Sequence, residues 1–272
     1  YWQDALDRLE RSSALNPNDL TGASQHFGTV FAFRRYAETI DLIHRFPPFI
    51  AENRQARAIL LRSKYELDGD RADFLKNWER LEPLRNDVAG QRSAYNLAYL
   101  RGDLAAVDLV LADPSLTRIA NTDGTIDDPV ALHRAFIAFL RGRSDEAHRF
   151  AGAAIEDYHH HEWAPRQVPW AKMGEARAEA YDGRPEEAVR DAKATLDYEV
   201  SHDLYSAIAM RNEYGQLLVL CNRRDEAISV LQEILSLPMF PLTLNGTRFD
   251  PVWSRLKDDP RFEEALKSAK PI

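Results

Sequence analysis

One punctuation mark recurs three times in this chain: Gly142-Arg143-Ser144-Asp145-Glu146-Ala147, then Gly183-Arg184-Pro185-Glu186-Glu187-Ala188, then Asn222-Arg223-Arg224-Asp225-Glu226-Ala227. Each lies between two segments of apolar periodicity. In each, a Gly or Asn able to enter the left-handed region ends one helix, acidic residues enrich the first turn of the next, and a small Ala follows. A helix-turn-helix unit repeated in this way restricts the fold to stacked helix pairs, an α-solenoid. It specifies architecture and leaves the ligand unnamed.

The same ruler extends toward the N-terminus. Apolar or small residues at Ala5, Leu6, Leu9 and Ala14 predict a helix over 2–15, ended by Asn16-Pro17-Asn18-Asp19. Further helices are predicted over 20–33 and 36–46, before the Pro47-Pro48 break, then over 50–67 and 71–81, and from 88–100 onward to 111. The turn positions Arg35, Gly69, Gly102, Gly142, Gly183 and Asn222 are 34, 33, 40, 41 and 39 residues apart by subtraction. Two helices and two short loops fill that length. The longer spacings come from polar insertions at 115–128 and 158–167.

Composition narrows the function. A net charge of −8 argues against binding a phosphate backbone, so nucleic acid is not an expected partner. No apolar run approaches a membrane span. The single cysteine, Cys221, ends the run Leu217-Leu218-Val219-Leu220; it rules out an internal disulfide and reads as a buried structural thiol. The chain begins Tyr1-Trp2-Gln3 inside an amphipathic pattern and is read as a piece of a longer protein. Its compartment stays open, with the cytoplasm favoured and the periplasm an alternative.

The repeated positions resemble the tetratricopeptide repeat family. Counting its 34-position unit back from Ala227 puts Gly215 and Leu218 in the first helix and Leu231 and Ile234 in the second. The preceding units give Ala176, Glu179, Ala192 and Thr195, and Ala135, Ala138, Ala151 and Ala154, while an early unit matches through Gly28 and Phe31. Two units match only at the turn, their small position falling on Arg62 and Tyr95. The tail has two Asp-Pro helix starts, Asp250-Pro251 and Asp259-Pro260. It is similar to the C-terminal ends of tetratricopeptide arrays in multidomain bacterial regulators.

That resemblance implies an all-α fold: a right-handed solenoid of about six helix pairs over 1–238 with a leading half repeat, and a capping segment over 239–272. It also implies a non-catalytic scaffold that holds a protein or peptide in a concave groove. The residues it transfers to that groove are Arg92, Asn96 and Tyr99; Leu132, Phe136 and Phe139; Trp170, Met173, Arg177 and Tyr181; and Asn212 and Gln216. Asn and Gln can bond an extended backbone, Arg can pair a carboxylate, and aromatics supply anchors. A small-molecule or metal sensor, or an oligomerisation module with self-association, are the alternatives. The carboxylate clamp of some family members is only half present, in Arg92 and Asn96.

Other chemistry is thinly represented. His159-His160-His161 are adjacent on a helix, so their rings diverge, and they read as a solvated helix end rather than a metal site. The loop Asn121-Thr122-Asp123-Gly124-Thr125-Ile126-Asp127-Asp128 lacks the order of a calcium loop, and it reads as a turn with Asp128 as the N-cap of the next helix. Asn245-Gly246-Thr247 reads as a tight turn. No nucleophile, phosphate-loop or zinc-protease motif is present, so neither a catalytic residue nor a cofactor is expected.

Overall fold

The structure is a computed structural model, and it describes residues 2–81, 88–120, 125–237 and 243–271. Among them the chain is mostly helical, and none of these helices is long and apolar enough to cross a membrane. Two compact units are present: one comprises Tyr1–Pro83, Leu235–Phe249 and Leu266–Ile272, the other Leu84–Ile234 and Asp250–Ala265. The C-terminal segment therefore contributes to both.

The first unit opens with α1 (Trp2–Leu15), α2 (Leu20–Ala32) and α3 (Tyr36–Arg45), followed by a one-turn helix α4 (Pro48–Ala51), α5 (Arg54–Asp68) and α6 (Arg71–Leu81). The proline pair thus starts a short helix instead of only breaking one. The next helix begins at Arg54 rather than at 50, because the Asn53 side chain accepts from Ala56 N and caps it. Phe27, Phe31, Ile43, Ile50 and Ile59 pack as its core.

The first turn also sits one residue earlier than the sequence suggested. Arg34, not Arg35, carries the positive φ of 59°. An arginine in that region is strained, and its side chain supplies the compensation. Arg34 is buried and donates to the carbonyls of Leu235 at 2.6 Å, Leu237 at 2.9 Å and Lys270 at 2.9 Å. Gly28 does not occupy a close-packed small position, since a Cβ there would meet nothing within 4 Å.

The second unit contains α7 (Val88–Arg101), α8 (Leu104–Leu111), α9 (Val130–Leu140), α10 (Ser144–His160), α11 (Val168–Tyr181), α12 (Pro185–His202), α13 (Leu204–Leu220) and α14 (Arg224–Leu235). Gly102, Gly142, Gly183 and Asn222 adopt positive φ between α7 and α8, α9 and α10, α11 and α12, and α13 and α14. From α7 to α13 consecutive helices pack on one another, and α11 also packs on α9 and α13. The small residues that follow the turns are buried in each case: Ala147, Ala151 and Ala154; Ala188 and Ala192; Ala227. Arg62 and Tyr95 precede the positive-φ Gly69 and Gly102 by the same interval at which Ala135, Ala176 and Gly215 precede Gly142, Gly183 and Asn222. Arg62 lies over the Trp78 ring, and Tyr95 is buried against His133.

The insertion before α9 holds a feature with no sequence forewarning, a two-stranded antiparallel ribbon of β1 (Arg118–Ala120) and β2 (Asp127–Pro129) with Ile119 opposite Asp128. Of the calcium-like loop, residues 121–124 lie outside the described residues. Asp128 is a buried strand residue rather than a helix cap; Pro129 precedes α9 and makes no side-chain cap bond. The tail forms α15 (Leu244–Phe249), a 3-10 turn at Trp253–Leu256 and α16 (Pro260–Ser268). Asp250 accepts from the Val252 and Trp253 amides, and Asn245 and Gly246 lie within α15 rather than in a tight turn.

Candidate functional site

The inner faces of α7, α9, α11 and α13 converge on a buried cluster of aromatic and charged groups. Rings of Tyr95, Tyr99, Phe136, Tyr181 and Phe139 follow one another with neighbouring centroids between 5.6 and 6.3 Å apart. Beside them Arg177 Nη1 stands 3.1 Å from Glu213 Oε2 and 3.8 Å from Asp128 Oδ2. Tyr158 donates to Asp128 Oδ1 at 2.6 Å, and the Tyr95 hydroxyl hydrogen-bonds His133 Nδ1 at 2.8 Å.

Burial and neighbouring charge set the protonation here. Burial pushes the Asp128 carboxyl up to about 6 against the opposing pull of Arg177 and the Tyr158 hydroxyl. It holds His133 down to about 3, with the Arg177 charge adding, so this imidazole is neutral. For Arg177 burial works to lower the pKa, yet Glu213, Tyr181 and Asp128 outweigh it and keep the guanidinium charged. Trp170 Nε1 and His133 Nε2 are buried without a hydrogen-bond partner. The cavity bounded by Asp128, Trp170, Met173, Gly174, Arg177 and Glu213 is about 10 Å³. That is the lower limit for one water molecule.

The residues assigned to a concave groove therefore have mostly interior fates. Leu132, Phe136, Trp170, Met173, Tyr181 and Asn212 are buried, Arg177 keeps only 18% of its side chain exposed, and Gln216 and Tyr99 are half-buried. Asn96 is exposed, and the Arg92 side chain lies outside what is described.

Several of these residues hold the chain's own C-terminal segment. Tyr99 donates to Asp250 Oδ2 at 3.3 Å, the Trp253 indole donates to Asn212 Oδ1 at 3.0 Å, and Arg255 lies over Phe139. Trp253 is fully buried, and a Cβ at Gly215 would come within 2.6 Å of its ring. Sequence spacing found the inner face. It missed that Asp250 and Trp253 would fill part of it.

The histidine run diverges as expected of adjacent helical residues. His159 pairs with Glu175, His160 bonds back to the Glu156 carbonyl, and the His161 ring lies tilted against Trp163. No group of three ligating side chains able to hold a metal occurs among the described residues. Cys221 is half-buried rather than buried, and partial burial pushes its thiol up to about 11.

A second concavity lies on the opposite side of α11, against α12, with a volume of about 800 Å³. Val168, Lys172, Glu175, Ala176 and Glu179 recur along α11 at helical spacing, and Asp191, Ala194, Thr195 and Tyr198 face them from α12. Trp163 and Pro165, from the insertion after α10, close one end. Ala176, Ala194 and Thr195 keep the floor low because their side chains are small. Tyr198 stacks one ring face on His202 and stays 52% exposed.

Glu179 is the least ordinary member of this lining. The residue is 8% exposed; Oε1 stands 3.6 Å from Arg184 Nη1, while Oε2 is buried without a hydrogen-bond partner. Burial raises its pKa, the negative charge of Asp191 adds to the rise, and Arg184 opposes it. The helical spacing of 168, 172, 175 and 179 was visible in the sequence. Nothing there told that this stripe would be left uncovered.

No protein-family profile matches the chain, and no curated protein matches it significantly.

Proposed function

We propose that the chain is a non-catalytic interaction module: a tetratricopeptide-like right-handed solenoid that holds a protein or peptide partner, with the partner seated in the groove between α11 and α12. The observation that carries this reading is the groove itself, about 800 Å³, small-residue floored and rimmed by Trp163, Tyr198 and charged side chains. That volume is in the range of specific ligand sites, and aromatic anchors beside fixed charges are what a peptide needs. The inner face supports the same division of labour. Its ion pairs are buried, part of it holds the C-terminal segment, and the cavity near Trp170 is too small for an organic ligand. The tail's likeness to those of bacterial regulators supports a place in a larger regulatory protein.

The test is selection of displayed peptides on the unaltered chain and on Ala194→Trp, whose ring would fill the groove from an exposed position. Peptides enriched on the first and lost on the second are the expected result. Enrichment that is equal on both, or absent from both, overturns the assignment of the groove.

A further inference from the structure

The charged groups that line the α11–α12 groove are mostly acidic. Three carboxylates line it, Glu175, Glu179 and Asp191, against one cation, Lys172, among its described lining residues. Glu175 is engaged by His159 and one Glu179 oxygen stands near Arg184. What stays unmatched is Glu179 Oε2, buried and without a hydrogen-bond partner. A carboxylate oxygen in that state costs free energy until a donor reaches it. Asp191 faces the same space from α12, half-buried, one turn before Thr195 and two turns before Tyr198, and the exposed Arg190 donates to its two oxygens at 2.7 and 3.0 Å, so an arriving guanidinium would share or displace that pair.

Resting on the reading of this groove as the partner's seat, we infer that the occupant is a partner peptide presenting an arginine to Glu179 and Asp191, its neighbouring apolar side chains lying on Ala176, Ala194 and Tyr198. Arginine suits the geometry better than lysine. Its planar fork can donate to two carboxylates at once, and the guanidinium stacks on an aromatic ring such as Tyr198, one face of which is already covered by His202. The volume exceeds a single side chain and accommodates several residues of extended chain. An acidic segment is disfavoured by like charge, and so is a phosphate backbone.

The experiment is a calorimetric titration of the full chain with acetyl-Ala-Leu-Arg-Ala-Leu-amide, with the same peptide carrying citrulline or glutamate for arginine, and with arginine amide alone. The Trp163 indole resonance is followed by NMR in parallel. Citrulline keeps the shape and removes the charge. The arginine peptide should bind saturably and shift Trp163. Citrulline in the peptide, or Glu179→Gln in the protein, should each weaken binding about tenfold, the scale of one charge-assisted hydrogen bond. Asp191→Asn should weaken it less.

Equal binding of the citrulline peptide, or an unchanged affinity in Glu179→Gln, overturns the arginine assignment while a persisting Trp163 shift keeps the groove as a peptide seat. Arginine amide binding as tightly as the peptide replaces the peptide with a small organic cation and overturns the proposal. If none of the peptides shifts Trp163, the groove reading and the arginine assignment fall together.

Discussion

The two faces of α11 share one helix and one sequence stretch and behave as different materials. One face sets Trp170, Met173, Gly174, Arg177 and Tyr181 into the interior of its unit, where Arg177 answers Glu213 and Asp128. The other sets Val168, Lys172, Glu175 and Glu179 along an uncovered trough. Both carry charge, so charge alone does not mark a binding surface. What separates them is access: on the inner face Arg177 is enclosed between Glu213 and Asp128, whereas Lys172, Glu175 and Glu179 on the outer face line an open concavity. The inner face should answer substitution with lost stability, and the outer face with lost binding.

The largest effect is expected at Arg177. Arg177→Met leaves Glu213 and Asp128 as buried carboxylates facing each other without their cation, at a cost of about 4 kcal/mol. Chemical denaturation followed by circular dichroism measures it. Had Arg177 lined an open groove, as its place in the repeat suggested, the same substitution would cost almost nothing.

Next is Gly174→Ala. A Cβ there would stand within 2.6 Å of the Tyr158 ring carbon that bears the hydroxyl, and Tyr158 is itself held by its bond to Asp128. Overpacking against a tethered ring should cost about 2 kcal/mol. The double variant with Tyr158→Phe separates the clash from the hydrogen bond: the hydroxyl is the closest atom, so its removal should recover part of the loss. A Gly174→Ala chain as stable as the original would show this face to be looser than its packing indicates.

The inner face also has a pH signature made of opposing parts. The folded Asp128 carboxyl, at about 6, keeps a proton that the unfolded chain releases near its ordinary 3.8, so between those values Asp128 favours the folded state as pH falls. His133 works the other way. Below its ordinary 6.5 the unfolded imidazole takes a proton that the buried ring refuses until about 3, and stability is lost as pH falls through that window. Between pH 7 and 5 the His133 loss is about 2 kcal/mol and the Asp128 gain about 1 kcal/mol. Relative to the unaltered chain, His133→Gln should therefore gain stability on acidification and Asp128→Asn should lose it. Unfolding curves at the two pH values check both signs, and variants that track the original chain at both would remove these groups from the account.

Much of this contrast was written in the sequence, and part of it was not. The turns at Gly69, Gly102, Gly142, Gly183 and Asn222 were legible because the left-handed backbone region restricts residue choice so sharply. Arg34 escaped the same reasoning, since its conformation is secured by three carbonyls more than two hundred residues away. The helical spacing of Tyr99, Phe136, Trp170 and Arg177 marked one continuous face. Whether such a face is open or filled depends on a segment distant in sequence, and the bonds of Asp250 to Tyr99 and of Trp253 to Asn212 are invisible to periodicity. Asp128 was misassigned for a related reason: the Asp-Pro pair signals a helix start locally, while the partners Tyr158 and Arg177 that hold it in a strand come from other helices.

The smallest stability effect is expected where the proposal places the function. Tyr198 is half exposed, its ring resting on His202, and Tyr198→Ser removes little packed surface. Its stability should change by no more than about 0.5 kcal/mol, as is usual for exposed positions. The same substitution removes the aromatic wall over which a guanidinium would lie, so the arginine peptide should lose affinity by severalfold while the citrulline peptide changes little. The differential matters more than either value. A uniform loss for both peptides would make Tyr198 a general apolar contact, and a loss of stability comparable to that of Gly174→Ala would place it with the interior, erasing the distinction between the two faces of α11.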